Sequence, residues 1–219
     1  MEPANCLLIQ LALFNLIENG LYPRNLIKNS ITVIDNVFTE NGLNSDDLEK
    51  FKTELKQSNL DKGDHFISPG QVSRYIAFIE KGYLRTYHLD ENGNEITTEF
   101  NQPGTFCSSY YSFYARQSSF EYIEAITDCE LFLLSFSSLQ NLYAQSFSMN
   151  VFGRIILEKA CMERDLRLKK IMHLTASEKY KWFLKNYTEV YKVAKLGYIA
   201  SFLGIKPETL SRVRRKIIF

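Results

Sequence analysis

Cysteine is sparse and scattered: Cys6, Cys107, Cys129 and Cys161 form no C-x-x-C pair, which excludes a zinc ribbon or an iron–sulfur cluster. They read as reduced residues of a cytosolic protein. Histidine is rarer still, with His65, His88 and His173 isolated from one another and no H-x-H pair. The histidine-rich metal centre of a small β-barrel enzyme is therefore excluded. No glycine-rich phosphate loop and no nucleophile–base motif occurs. The expectation is a protein that is not an enzyme and holds no metal or cofactor. Long apolar runs are also missing. The longest, Cys6 to Ile17, has 12 residues and is broken by Gln10 and Asn15, short of the roughly 20 that span a bilayer. Glu2 is the only charge before it, so the cationic start of a signal peptide is absent. A soluble cytoplasmic protein without a membrane partner follows.

The chain has 219 residues, 45% hydrophobic and 23% charged, enough to bury a real core and ordinary for a folded domain or two. The net charge of +1 hides an asymmetry. Residues 1–150 carry 10 Lys and Arg against 19 Asp and Glu, which is −9, and residues 151–219 carry 16 against 6, which is +10. An acidic module joined to a basic one favours a polyanionic partner for the second.

Residues 5–18 place Leu8, Leu11, Ala12 and Leu16 at helical spacing. Between Asn41 and Gln57, Ser45 with Asp46 and Asp47 supplies a cap and first-turn acids, and Leu48, Phe51 and Leu55 make a helical stripe. From Leu60 to Leu134 the texture is β-branched and aromatic, cut by turn residues at Gly63, Pro69-Gly70, Gly82, Asn92-Gly93 and Pro103-Gly104. That spacing predicts a compact antiparallel roll. After Ser135 the period becomes helical, with a break expected near Ser146–Asn150. Phe152, Ile155, Met162 and Leu166 form a short seam, interrupted by Lys159, of the kind by which two parallel helices pair.

Residues 196–215 have the spacing of a helix-turn-helix. Ile199, Leu203, Ile205, Leu210 and Val213 supply a shared core, Ala200 a close crossing, and Gly204 a turn where positive φ costs little. Pro207 opens the second helix where its missing N–H is harmless, and Glu208 meets the positive end of the dipole. The exposed face of that helix carries groove-reading chemistry. Glu208, Ser211 and Arg212 are the candidate base readers, and Lys195, Lys206, Thr209, Arg214, Arg215 and Lys216 the candidate phosphate contacts.

The run Ile199-Ala200-Ser201-Phe202-Leu203-Gly204-Ile205-Lys206-Pro207-Glu208-Thr209-Leu210-Ser211-Arg212 resembles the helix-turn-helix of the bacterial Crp/Fnr family of transcription regulators. Weaker matches lie at Ile79-Glu80-Lys81-Gly82, at Asn92-Gly93-Asn94-Glu95 and at Leu174-Thr175-Ala176-Ser177-Glu178. The resemblance covers roughly residues 43–217. It implies an α+β fold: a cyclic-nucleotide-binding-like, jelly-roll-like antiparallel β roll over residues 41–135, a long dimerisation helix over 136–170, and a helix-turn-helix domain over 171–219. Residues 1–40 are an N-terminal extension whose role the sequence does not define. The implied partners are a double-stranded DNA operator with inverted-repeat symmetry, a second copy of the chain, RNA polymerase and a small-molecule effector.

The cyclic AMP phosphate cassette of the family, F-G-E followed downstream by R-[ST]-A, is not matched. Its place is taken by Phe106-Cys107-Ser108-Ser109 and Ser118-Ser119-Phe120-Glu121, so cyclic AMP is not the expected effector. Tyr110, Tyr111, Phe120 and Tyr122 crowd the same region and either wall an effector pocket or fill it. The competing expectation is a ligand-sensing or protein-interaction module whose DNA binding is weak or lost.

Overall fold

In the computed structural model the described residues are Asp35 and 45–218. The expectations for residues 5–18, Cys6 and most of the N-terminal extension lie outside them. Helix α1 (Ser45–Thr53) carries Asp46 and Asp47 in its first turn and buries Phe51, as the stripe predicts. Eight strands follow: β1 (Lys56–Leu60), β2 (His65–Ile67), β3 (Tyr75–Lys81), β4 (Leu84–Leu89), β5 (Glu95–Asn101), β6 (Phe106–Cys107), β7 (Tyr122–Ala125) and β8 (Cys129–Ser135), with a short helix α2 (Tyr110–Ala115) between β6 and β7. They pair antiparallel into two four-stranded sheets of order β1-β8-β3-β6 and β2-β7-β4-β5. The expected roll is thus present, and its turns sit at the glycines. Gly82, between β3 and β4, has φ +91°, and a Cβ there would lie 2.8 Å from Cys129 Cα, so only glycine fits this crossing.

Between the sheets, Ile67, Ala77, Ile79, Leu84, Ile123, Ala125 and Leu131 form one core cluster. Outside the first sheet a second cluster, with Phe51, Phe78, Phe113, Leu139, Leu142, Met149 and Phe152, is roofed by helices α3 (Phe136–Gln145) and α4 (Phe147–His173). The break between these helices is the single residue Ser146. Its hydroxyl accepts from Met149 N and caps α4; it also donates to the buried Asp47 carboxylate on α1, which Ser148 meets as well. Gly153 is the one glycine of α4. A Cβ there would come within 2.6 Å of Tyr143 Cζ, so α3 and α4 approach as closely as a bare backbone allows.

Helix α4 has 27 residues and, at 1.5 Å rise per residue, is about 40 Å long. Phe152 does not join the expected seam. Its turn of the helix also carries Met149 and Ile156, and this face packs on the roll, Phe152 against Phe51 at 6.4 Å and Phe106 at 6.3 Å between ring centroids. Leu157, Met162, Leu168 and Met172 stay exposed, at 37% or more of their surface.

The rest of the chain is helical: α5 (Ala176–Asn186), α6 (Thr188–Val193), α7 (Leu196–Phe202) and α8 (Pro207–Ile218). A capping box starts α5, Thr175 accepting from Glu178 N and Glu178 accepting from Thr175 N. The third core cluster joins Tyr180, Phe183, Val190, Ile199, Ala200, Phe202, Leu203 and Leu210 to two residues of the roll, Phe100 and Ile126.

Candidate nucleic-acid interface

Helices α7 and α8 are held in a helix-turn-helix by a glycine-ended turn. Ile205 N–H donates to Ala200 O and Gly204 N–H to Ser201 O, both at 3.0 Å, the paired bonds of a helix closed by a left-handed residue. Gly204 supplies that residue at φ +61°. Ile199, Ala200, Phe202, Leu203 and Leu210 are almost wholly buried, and Ile205, Val213 and Ile217 pack against them. Every sequence-based expectation for this core is met.

With Leu210 and Val213 turned inward, 100° per residue brings Glu208, Ser211, Arg212 and Arg215 onto one outward stripe. All four are exposed, as are Lys206 and Lys216, while Thr209 and Arg214 are half-buried at its edges. Glu208 is the only acid on α8, and among the described residues none of its cations forms an ion pair. Folding has left this face unneutralised. Lys195 lies elsewhere: it stands at the start of α7, its ammonium 3.2 Å from the Tyr198 hydroxyl and over that ring, and is drawn to this phenol instead of standing free beside α8.

Tyr198 in turn belongs to a contact that the sequence does not reveal. The Arg85 guanidinium of β4 is fully buried between two phenol rings, 4.0 Å from the Tyr87 centroid and 3.5 Å from that of Tyr198. It pairs with Glu95 at 2.8 Å and Glu124 at 2.7 Å. Burial, followed by these two carboxylates, pushes the Tyr87 hydroxyl up to about 12. Next to this group, Ser201 of α7 accepts from Thr97 N at 2.8 Å and donates to Glu95 O at 2.9 Å. Arg167 of α4 donates to both Thr97 O and Phe202 O. The helix-turn-helix is therefore docked on the outer face of the second sheet, with Phe100 of β5 inserted against Phe183, Tyr187 and Phe202.

The segment that takes the place of the phosphate cassette is a closed hydroxyl network. Ser119 Oγ donates to Ser109 Oγ, and Ser109 Oγ to the Glu121 carboxylate, each at 3.0 Å. Glu121 N–H returns to Ser119 Oγ at 3.0 Å. Ser108 Oγ donates to Tyr75 O, and Ser112 Oγ accepts from Ser73 N. Glu121 is 9% exposed, so a carboxylate lies in the segment where a cyclic phosphate would need a cation.

The four aromatic residues offered as an effector pocket are not brought together. Tyr110 lines a cavity of about 40 Å³ with Tyr114, Phe106 and residues of α3 and α4, its hydroxyl spent on Phe106 O and pushed well up by burial. Tyr111 and Phe120 are exposed and meet each other at 6.1 Å. Tyr122 stacks on Tyr87 at 4.8 Å in the other sheet. Tyr110 and Tyr111, as neighbours on a helix, point about 100° apart, and Phe120 lies ahead of the strand that Tyr122 begins. Cys107 is buried and its thiol pushed well up by burial; no group of three or more His, Cys, Asp or Glu among the described residues could hold a metal ion. No helix among them is long and apolar enough to cross a membrane.

Residues 57–146 match the cyclic nucleotide-binding domain family. No curated protein matches the chain by sequence. Among solved structures, FixK2 from Bradyrhizobium japonicum superimposes with a TM-score of 0.64 at 18% identity, covering 75% of this chain and 84% of its own. The c-di-GMP-responsive global regulator CLP of Xanthomonas campestris gives 0.63 at 16% identity, covering 80% and 92%. TTHA1359, a Crp/Fnr-family transcriptional regulator from Thermus thermophilus, gives 0.58 at 19% identity, covering 74% and 86%. A cyclic nucleotide-binding-type β roll carried on a long helix and followed by a helix-turn-helix, the chain has the fold of the Crp/Fnr transcription regulators.

Proposed function

We propose that the chain is a homodimeric, sequence-specific DNA-binding transcription regulator that does not respond to cyclic AMP. The observation that carries this reading is the outward stripe of α8, where Glu208, Ser211 and Arg212 stand exposed among cations that form no ion pair among the described residues. Arginine can donate paired hydrogen bonds to guanine, and glutamate can accept from cytosine N4. Lys206, Thr209, Arg214, Arg215 and Lys216 surround them with phosphate contacts that bind any sequence. Lys195 contributes less, because Tyr198 already holds it.

The face of α4 that carries half-buried Ile155 and Leu166 with exposed Met162 is the seam for a second copy; the exposed Leu157 and Leu168 lie on the opposite side of the helix. Two parallel copies carry two copies of α8, so the operator is an inverted repeat with half-sites about one helical turn, roughly 34 Å, apart. The buried Glu121 and the serines that bond it oppose a cyclic phosphate in the roll. RNA polymerase and an effector of another chemical class are the further partners of such a protein, which acts in the cytoplasm and catalyses no reaction.

Selection of random duplexes by the purified protein, followed by binding at two salt concentrations, tests the reading. An enriched inverted repeat is the expected result. Salt-sensitive binding with no enriched sequence contradicts base reading and leaves only electrostatic attraction.

A further inference from the structure

Three elements meet at one point: α4, the helix on which a second copy would pair, β5 of the roll, and α7 of the helix-turn-helix. Arg167 is the link from the first. One terminal nitrogen of its guanidinium donates to Thr97 O on β5 at 3.2 Å and to Phe202 O on α7 at 2.9 Å, while the guanidinium lies 4.3 Å from the Phe202 ring centroid. Ser201 is the link between the other two, accepting from Thr97 N and donating to Glu95 O. Almost all these partners are backbone atoms. A bond to a side chain is satisfied by moving that side chain, but a bond to a backbone carbonyl or amide fixes the element that carries it.

The joint is not built for stability alone. Among the described residues no acceptor meets the buried Nε of Arg167 or that of Arg85. Replacing a buried ionic group by an apolar side chain of the same volume is often neutral or stabilising, so stability alone does not account for Arg167 here. Between α4 and the first helix of the basic domain lie only Leu174 and Thr175. Those two residues leave the angle between the helices to be set by something else.

We infer that Arg167 and Ser201 are positioning residues, which lock the helix-turn-helix against the roll and so fix the spacing at which two copies present α8 to DNA. Neither residue touches a base. The inference rests on the DNA-binding reading above and adds to it the source of half-site spacing. A rigidly held pair of modules gains effective concentration only at the span it fits, whereas a loosened pair accepts many spans at lower gain.

The test uses the full-length chain as wild type, Arg167→Met, Arg167→Lys and Ser201→Ala. Duplexes carry one half of the enriched repeat, the whole repeat, or the repeat with its spacing lengthened by roughly a fifth of a helical turn. On the half-site all four proteins are expected to bind within about twofold, because α8 is untouched. The wild type is expected to prefer the native spacing by about tenfold or more, Arg167→Met and Ser201→Ala by less than about threefold, and Arg167→Lys to regain most of the preference.

Unchanged spacing preference in Arg167→Met and Ser201→Ala overturns the inference. Loss of half-site binding in these variants also overturns it, since the joint would then support only the fold of the domain. A second readout needs no DNA: spin labels at Glu91→Cys and Lys216→Cys, in a Cys6→Ser, Cys161→Ser background diluted into unlabelled protein. One narrow distance in the wild type, broadened in Arg167→Met, is expected; equal widths contradict the joint. If no DNA binds at all, the DNA-binding reading fails by itself while the label distances still decide the joint.

Discussion

Two polar regions of the molecule, the serine-rich segment of the roll and the outer face of α8, have been treated in opposite ways by folding. In the first, Ser109, Ser119 and Glu121 spend their hydrogen bonds on one another and on nearby backbone. In the second, Glu208, Ser211, Arg212, Arg215 and Lys216 are exposed and none of the cations is ion-paired among the described residues. A polar group that has found an intramolecular partner costs free energy to release to a ligand, and one left facing water does not. The difference teaches where to look for a partner: the roll has closed its cassette segment, and the helix-turn-helix has kept its polar face open.

The comparison can be broken or sharpened by substitution. The largest effect is expected where the two regions are joined. Arg85→Ala leaves Glu124 and Glu95 without their buried cation and removes the filling between Tyr87 and Tyr198, so urea denaturation should show a loss of about 3–5 kcal/mol. The closed segment predicts that cyclic AMP at about 1 mM does not move the melting temperature. A site with a dissociation constant near 10 µM would instead stabilise the protein by about 2.7 kcal/mol under those conditions, a rise visible by calorimetry. On the open face, Lys216→Ala should weaken binding to every duplex alike and lower the slope of log affinity against log salt by about one.

The smallest effect concerns the capping box before α5. The Glu178 carboxyl is held below its ordinary value by hydrogen bonds from Thr175. A group depressed in the folded state stabilises above the ordinary carboxylate range and loses that contribution as pH falls through its folded value. Glu178→Gln should therefore lower the melting temperature slightly near neutrality and converge with the wild type as pH falls, flattening the acid side of the profile, as read from melting temperatures from acidic to neutral pH.

How much of this was legible in the sequence depends on whether a residue's neighbours are local. The turns at Gly82, Gly93 and Gly104 were readable because positive φ demands glycine at each. The helix-turn-helix was readable because its core recurs within one short segment, with Gly204 and Pro207 marking the turn. The break at Ser146 was readable because a serine at a helix start caps it. The joint between the domains was not. Alternation along a strand would send every second residue of β4 to water, yet Leu84, Arg85, Thr86 and Tyr87 are all buried, because a distant part of the chain covers the outer face. Nothing near Arg85 in the sequence announces Tyr198. Phe152 was misplaced for a related reason: apolar residues lie on several sides of α4, and the helical period alone does not say which side meets the roll and which a second copy. The aromatic group at Tyr110, Tyr111, Phe120 and Tyr122 was misleading in the opposite sense, since closeness in sequence did not bring these side chains to one site.

The central claim, that the open face of α8 reads base edges, is tested most directly by comparing wild type and Arg212→Ala on the enriched repeat and on a duplex of scrambled sequence, at the same salt concentration. The account predicts a loss of about 1–3 kcal/mol on the repeat, with relaxed preference at the base pair concerned, and a much smaller loss on scrambled DNA. Equal losses on both duplexes would contradict it, and would reduce Arg212 to one more phosphate contact.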